Sequence, residues 1–195
     1  MISRISERIA IFLLNKKVIE ENELEIYIYG YEVLISSVID FFIVLLFAVT
    51  FNKIILMTIF FTMFVSVRIY TGGYHADTFW KCKIVFIMIC LVLTLSSYIK
   101  VLLMPMMIIM VVYNITVYIL APVENINKPL TNCEKTKYRR ISIVLSMIWT
   151  TVAVITYFSF TEICQSITVT ALIIAVMMIV GKNINGKEVR KNEIQ

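Results

Sequence analysis

Long apolar runs, broken by short polar stretches, organise this chain. Runs close to the roughly 20 residues that cross a bilayer fall near 34–51, 54–70, 84–99, 101–121, 141–160 and 163–181. Before them, Ile2, Ile5, Ile9, Phe12, Leu13 and Val18 share one helical stripe with charge opposite. That pattern suits either an amphipathic helix lying in the membrane interface or an ordinary helix packed on a bundle. The pattern predicts an all-α integral membrane bundle of about six transmembrane helices with an amphipathic N-terminal helix. One domain is expected over 1–195, with a cytoplasmic N-terminal segment at 1–33, a bundle at 34–181 and a cytoplasmic tail at 182–195.

Composition agrees, since 60% of the 195 residues are hydrophobic and only 16% are charged, far from a soluble domain. The net charge of +5 is scattered between apolar runs, so membrane orientation explains it better than nucleic acid, and no nucleic-acid partner is expected. Lys and Arg number four in the N-terminal segment, three at 68–83, five at 122–140 and four after Gly181, leaving Lys53 and Lys100 opposite. By the positive-inside rule both termini and the 68–83 segment face the cytoplasm, in a multi-pass protein of the cell membrane. Residues 1–20 mix charges with apolar positions and do not read as a cleavable signal peptide.

The chemistry concentrates in one polar stretch. His75, the single histidine, precedes Cys82 by seven residues, and Lys81 and Lys83 flank that cysteine. On a straight helix the two would stand roughly 10 Å apart along the axis, whereas proton exchange needs about 3 Å. Gly72-Gly73 breaks the helix by permitting positive φ, so a re-entrant hairpin from near Tyr70 to near Thr78 would bring them together. Thr78 or Asp77 would cap the second helix and leave Cys82 near its first turn. There the helix dipole and the lysines favour thiolate, with His75 as base and then acid. The plainer alternative is a polar turn with an incidental His and Cys. Cys90 reads as a small buried hydrophobe. Four cysteines without a CxxC pair, and one His, imply no metal, and no cofactor or nucleotide motif is present.

Arg68-x3-Gly72-Gly73-Tyr74-His75-Ala76-x5-Cys82 resembles the signature of the accessory gene regulator B (AgrB) family, membrane cysteine peptidases of bacterial peptide quorum sensing. The 122–130 stretch, Pro-Val-Glu-Asn-Ile-Asn-Lys-Pro-Leu, is similar to that family's second loop. The resemblance implies Cys82 as nucleophile, His75 as its partner, and Arg68 and Gly73 as residues needed for activity. It implies an AgrD-type propeptide substrate whose tail is removed through an acyl-thioester on Cys82. An internal Cys or Ser of the substrate then closes a thiolactone or lactone.

Lys128, Lys135, Lys137, Arg139 and Arg140 either receive the acidic substrate tail or only enforce topology. Arg68 either binds substrate or snorkels to headgroups. Asp40, an ionisable group inside the first span, is costly there and functional by default. It either orients His75 or pairs with a hydroxyl or Arg68. Besides the bilayer and the propeptide, a homodimer stays compatible with the pattern. A non-proteolytic peptide exporter or a membrane scaffold is the rival reading, and replacement of Cys82 separates it from a peptidase.

Overall fold

The computed structural model describes residues 2–73, 79–99, 102–123 and 130–193; side chains are described except those of Ile2, Phe79 and residues 185–193. Its helices are α1 (Ile2–Asn15), α2 (Leu24–Thr50), α3 (Ile54–Thr71), α4 (Phe79–Ser96), α5 (Leu103–Leu120), α6 (Asn132–Thr156) and α7 (Thr161–Glu193), with a short 3-10 turn at Glu21–Glu23. No β-strand occurs among the described residues. The chain forms two compact units, Met1–Ile43 and Val44–Gln195, divided in sequence within α2.

Five helices are long and apolar enough to cross a membrane: α2 extended back to Glu21, α3, α5, α6 and α7 to Ile184. The expected run at 84–99 is α4, which begins earlier and carries Lys81 and Lys83 near its start. This is an all-α membrane bundle, and many apolar side chains on its outer faces, such as Leu46, Ile108 and Ile155, are exposed as a lipid-facing surface requires.

In the first unit, α1 stops at Asn15, and Lys17 follows with φ 56°, so Val18 lies off the helix. Ile5 and Phe12 of the expected stripe are exposed, at 42% and 59%. An exposed apolar stripe agrees with the interfacial alternative. α2 starts at Leu24, ten residues before the expected run at 34, because Leu24, Ile26 and Ile28 extend the apolar pattern past isolated Glu25 and Glu32.

The second unit has two ends, fixed by polar contacts at opposite extremes of its helices. At one end Lys53, before α3, pairs with Glu162 of α7 at 2.9 Å. There the Gln165 amide Nε2 also donates to the carbonyls of Ser96, the last residue of α4, and Ile99, just past it. The start of α3 and the end of α4 thus meet the start of α7, which makes α3 and α4 antiparallel. Between the ends, Ser166 Oγ donates to Leu56 O at 2.8 Å and Asn114 Nδ2 donates to Thr150 Oγ1 at 2.8 Å. Half-buried Asn114 therefore bonds to the neighbouring helix, as polar side chains between membrane helices do. Pro105 sits in the first turn of α5, where its missing N–H costs nothing. Of the methionines around it, Met106 and Met110 are buried while Met104 and Met107 are exposed.

Two boundaries differ from expectation. α6 begins at Asn132, nine residues before the apolar run at 141, because Thr131 accepts the Glu134 N–H and the Glu134 carboxylate takes the Thr131 N–H at 2.9 Å. This capping box carries Lys135, Lys137, Arg139 and Arg140 on a helix rather than in a connection. The expected tail at 182–195 is helical through Glu193 as a continuation of α7.

Candidate active site

The opposite end of the second unit gathers the motif. α3 stops at Thr71, and Gly72 and Gly73 follow at φ 66° and φ 129°, the positive values that only glycine adopts cheaply. Val123 N–H donates to Thr71 O at 2.8 Å. Gly72 and Val123 form an isolated parallel β-bridge. A methyl on Gly72 would overlap the Val123 carbonyl oxygen and stand 3.1 Å from its carbon. The base of the second connection is therefore stitched, backbone to backbone, to the glycine pair.

Arg68 holds the same turn from below. Its Nη1 donates to Gly72 O at 3.4 Å, and its guanidinium lies 5.5 Å from the Phe64 ring centroid. A methyl on Gly73 would stand 2.7 Å from that Nη1 and 3.4 Å from Met177 O of α7. Tyr70 meets Tyr138 of α6 edge-on at 5.6 Å. So α3, α6, α7 and the residues after α5 converge here, and the Arg68 side chain is engaged with backbone as well as with an aromatic face.

Cys82 is the fourth residue of α4, as the motif spacing predicts, and is partly exposed. Phe86, one turn on, packs on Phe60 and Phe64 at 6.0 and 5.8 Å. Cys82 shares a face with Phe86, and Arg68 shares a face with Phe64. In an antiparallel pair both lie about 6 Å beyond that aromatic contact, toward the same end. The flanking lysines are not equivalent, because Lys81 is exposed whereas Lys83 is 4% exposed. Among the described cysteines none forms a disulfide; Cys90 and Cys164 are buried and Cys133 is exposed.

His75, and with it the re-entrant turn, the Asp77 or Thr78 cap and the approach to Cys82, lies outside the described residues, as does Lys128. Asp40 is half-buried on the α2 part of the first unit. Lys135 is half-buried, while Lys137, Arg139 and Arg140 are exposed along the first turns of α6. Arg139 Nη2 donates to Tyr118 O at 3.0 Å, and its guanidinium stands 5.3 Å from the Tyr118 ring centroid. No group of His, Cys, Asp and Glu able to hold a metal occurs among the described residues.

The family model for accessory gene regulator B matches residues 6–179. The chain belongs to the AgrB family. No curated protein and no solved structure matches it. AgrB membership makes this a multi-pass membrane protein of quorum-sensing autoinducer processing, whose substrate is broadly a propeptide of the AgrD type. Reading the sequence alone missed the Val123 contact, which joins positions some fifty residues apart. It also missed the Thr131-x-x-Glu134 capping signature, which is visible in the chain.

Proposed function

We propose that this AgrB protein is a membrane cysteine endopeptidase that removes the tail of its propeptide through an acyl-thioester on Cys82. The observation that supports this reading is a partly exposed Cys82 in the first turn of α4, one turn from Phe86, which packs on Phe60 and Phe64 of α3. The helix N-terminus and buried Lys83 favour thiolate there. His75 takes the thiol proton and delivers it to the departing amine. Cys82 Sγ attacks the carbonyl joining core to tail, the C–N bond breaks, and the tail leaves with a free amine. The substrate's internal thiol or hydroxyl then attacks the thioester, giving a thiolactone or lactone and restoring the Cys82 thiol. Exchange between thioesters is nearly balanced, and tethering favours ring closure over water. Making a thioester from an amide is uphill, so tail removal or product export draws the reaction on.

In this reading Arg68 and the glycine pair shape the turn that presents His75. Lys128, Lys135, Lys137, Arg139 and Arg140 receive the acidic tail, and Asp40 is a candidate orienter of His75. The active-site end and both termini face the cytoplasm, where thiols stay reduced. The test is co-expression with the propeptide, followed by mass spectrometry. Tail loss and a propeptide adduct on Cys82 are expected with wild type, and neither with Cys82→Ala or His75→Ala. Equal cleavage by Cys82→Ala would move the non-proteolytic exporter or scaffold to the front.

A further inference from the structure

The outer surface between α5 and α6 holds a groove of about 390 Å³, with Ile115, Tyr118, Ile119, Ile143, Ser146 and Met147 in its lining. Ile115, Tyr118, Ile119 and Met147 are more than half exposed, whereas Ser146 is buried, so the groove is open along its length and apolar along its rim. On α6, Arg139, Ile143, Ser146 and Met147 stand at helical spacings of three, four and eight. They therefore form one stripe that changes from cation to hydrocarbon within a single turn. Arg140 adjoins the stripe through Ile143 and Met147, three and seven residues on. On α5 the same end is Tyr118, whose carbonyl and ring both hold the Arg139 guanidinium. Tyr118 lines the groove, so the arginine it holds stands beside the groove's end. The neighbouring acid, Glu134, is engaged by the backbone N–H and hydroxyl of Thr131 at 2.9 and 2.8 Å.

We infer that this groove is a binding site for an anionic phospholipid, with its phosphate at Arg139 and Arg140 and an acyl chain along Ile115, Ile119 and Met147. Two cations above an apolar channel match the two parts of one such lipid, and a basic pocket between spanning helices is how anionic headgroups are held. Charge argues against a second copy of the chain, because a symmetric contact would oppose the arginines to one another. With no propeptide bound, the lipid phosphate occupies Arg139 and Arg140, and the substrate tail reaches these two cations only by displacing it.

The test is native mass spectrometry of the full chain in detergent, with phosphatidylglycerol or phosphatidylcholine added and no propeptide present. Wild type should retain phosphatidylglycerol about 30-fold more than phosphatidylcholine, two cations contributing. Arg139→Gln/Arg140→Gln should bring the ratio near unity. Met147→Trp, at an exposed position, should cut retention of both lipids by filling the groove. It keeps the question open to test if loss of the Arg139–Tyr118 contact impairs folding. Equal retention of the two lipids by wild type overturns the inference. So does a preference lost equally in Lys16→Gln/Lys17→Gln, which would reflect net charge. A lipid-free dimer abolished by Met147→Trp also overturns it and assigns the groove to a second copy.

Discussion

Gly72→Ala tests whether the stitched turn matters to the reaction. Gly72 has φ 66° and ψ −148°, in territory that costs an L-residue about 1–3 kcal/mol. The new methyl would also overlap the Val123 carbonyl oxygen, and overpacking of this kind costs about 1–3 kcal/mol more. Against this stand the backbone bonds of the Gly72–Val123 bridge, the Val123 N–H to Thr71 O bond among them, each with a net worth of about 0.5–1.5 kcal/mol. The turn should therefore open instead of accommodating the methyl. An opening favoured by about 2 kcal/mol leaves the closed form near one part in thirty, so cleavage should fall by about 30-fold. Because the colliding atom is backbone, Val123→Gly should not rescue Gly72→Ala. The assay is propeptide cleavage by the full chain in vesicles, with the unfolding temperature in detergent as a control. Gly30→Ala provides a comparison, since a methyl there meets nothing within 4 Å and should leave cleavage unchanged. Wild-type cleavage by a folded Gly72→Ala protein would refute the reasoning.

Arg68→Lys should reduce cleavage by about tenfold or more, because an ammonium cannot both reach Gly72 O and cover Phe64 as a planar guanidinium does; cleavage within twofold of wild type contradicts this. Lys83→Met should slow acylation of Cys82 by about tenfold and Lys81→Met by less than about twofold, since a buried cation acts through a lower dielectric than an exposed one. Single-turnover trapping measures both rates, and equal effects would remove Lys83 from the argument. Asn114→Leu should lower stability by about 0.6 kcal/mol, and at most about 1.7, through loss of the Thr150 bond. Detergent unfolding checks this, and a loss above about 1.7 kcal/mol contradicts it; the second Asn114 bond, to Met110 O within α5, crosses no helix interface.

Much of the fold was legible because bilayer thickness constrains run length. The α3 and α5 runs were placed to within about two residues, and Gly72-Gly73 ended α3 where positive φ is required. The start of α6 was missed because its first turns are polar, and apolar periodicity is silent where capping and charge make a helix. Position within α4 placed Cys82, since motif spacing and helix start agree. The difference between Lys81 and Lys83 was not legible, because burial depends on which face of α4 meets the bundle. Nor was the bond from Val123 to Thr71, since nothing local in either segment encodes so distant a partner.

That bond also constrains how the protein can be recombined. Residues 71–73 and 121–123 are read together, backbone against backbone. A chimaera that takes one connection from a relative and leaves the other in place keeps each segment locally sound yet mismatches their seam. Exchanging both connections as one cassette should therefore preserve the unfolding temperature better than exchanging either alone.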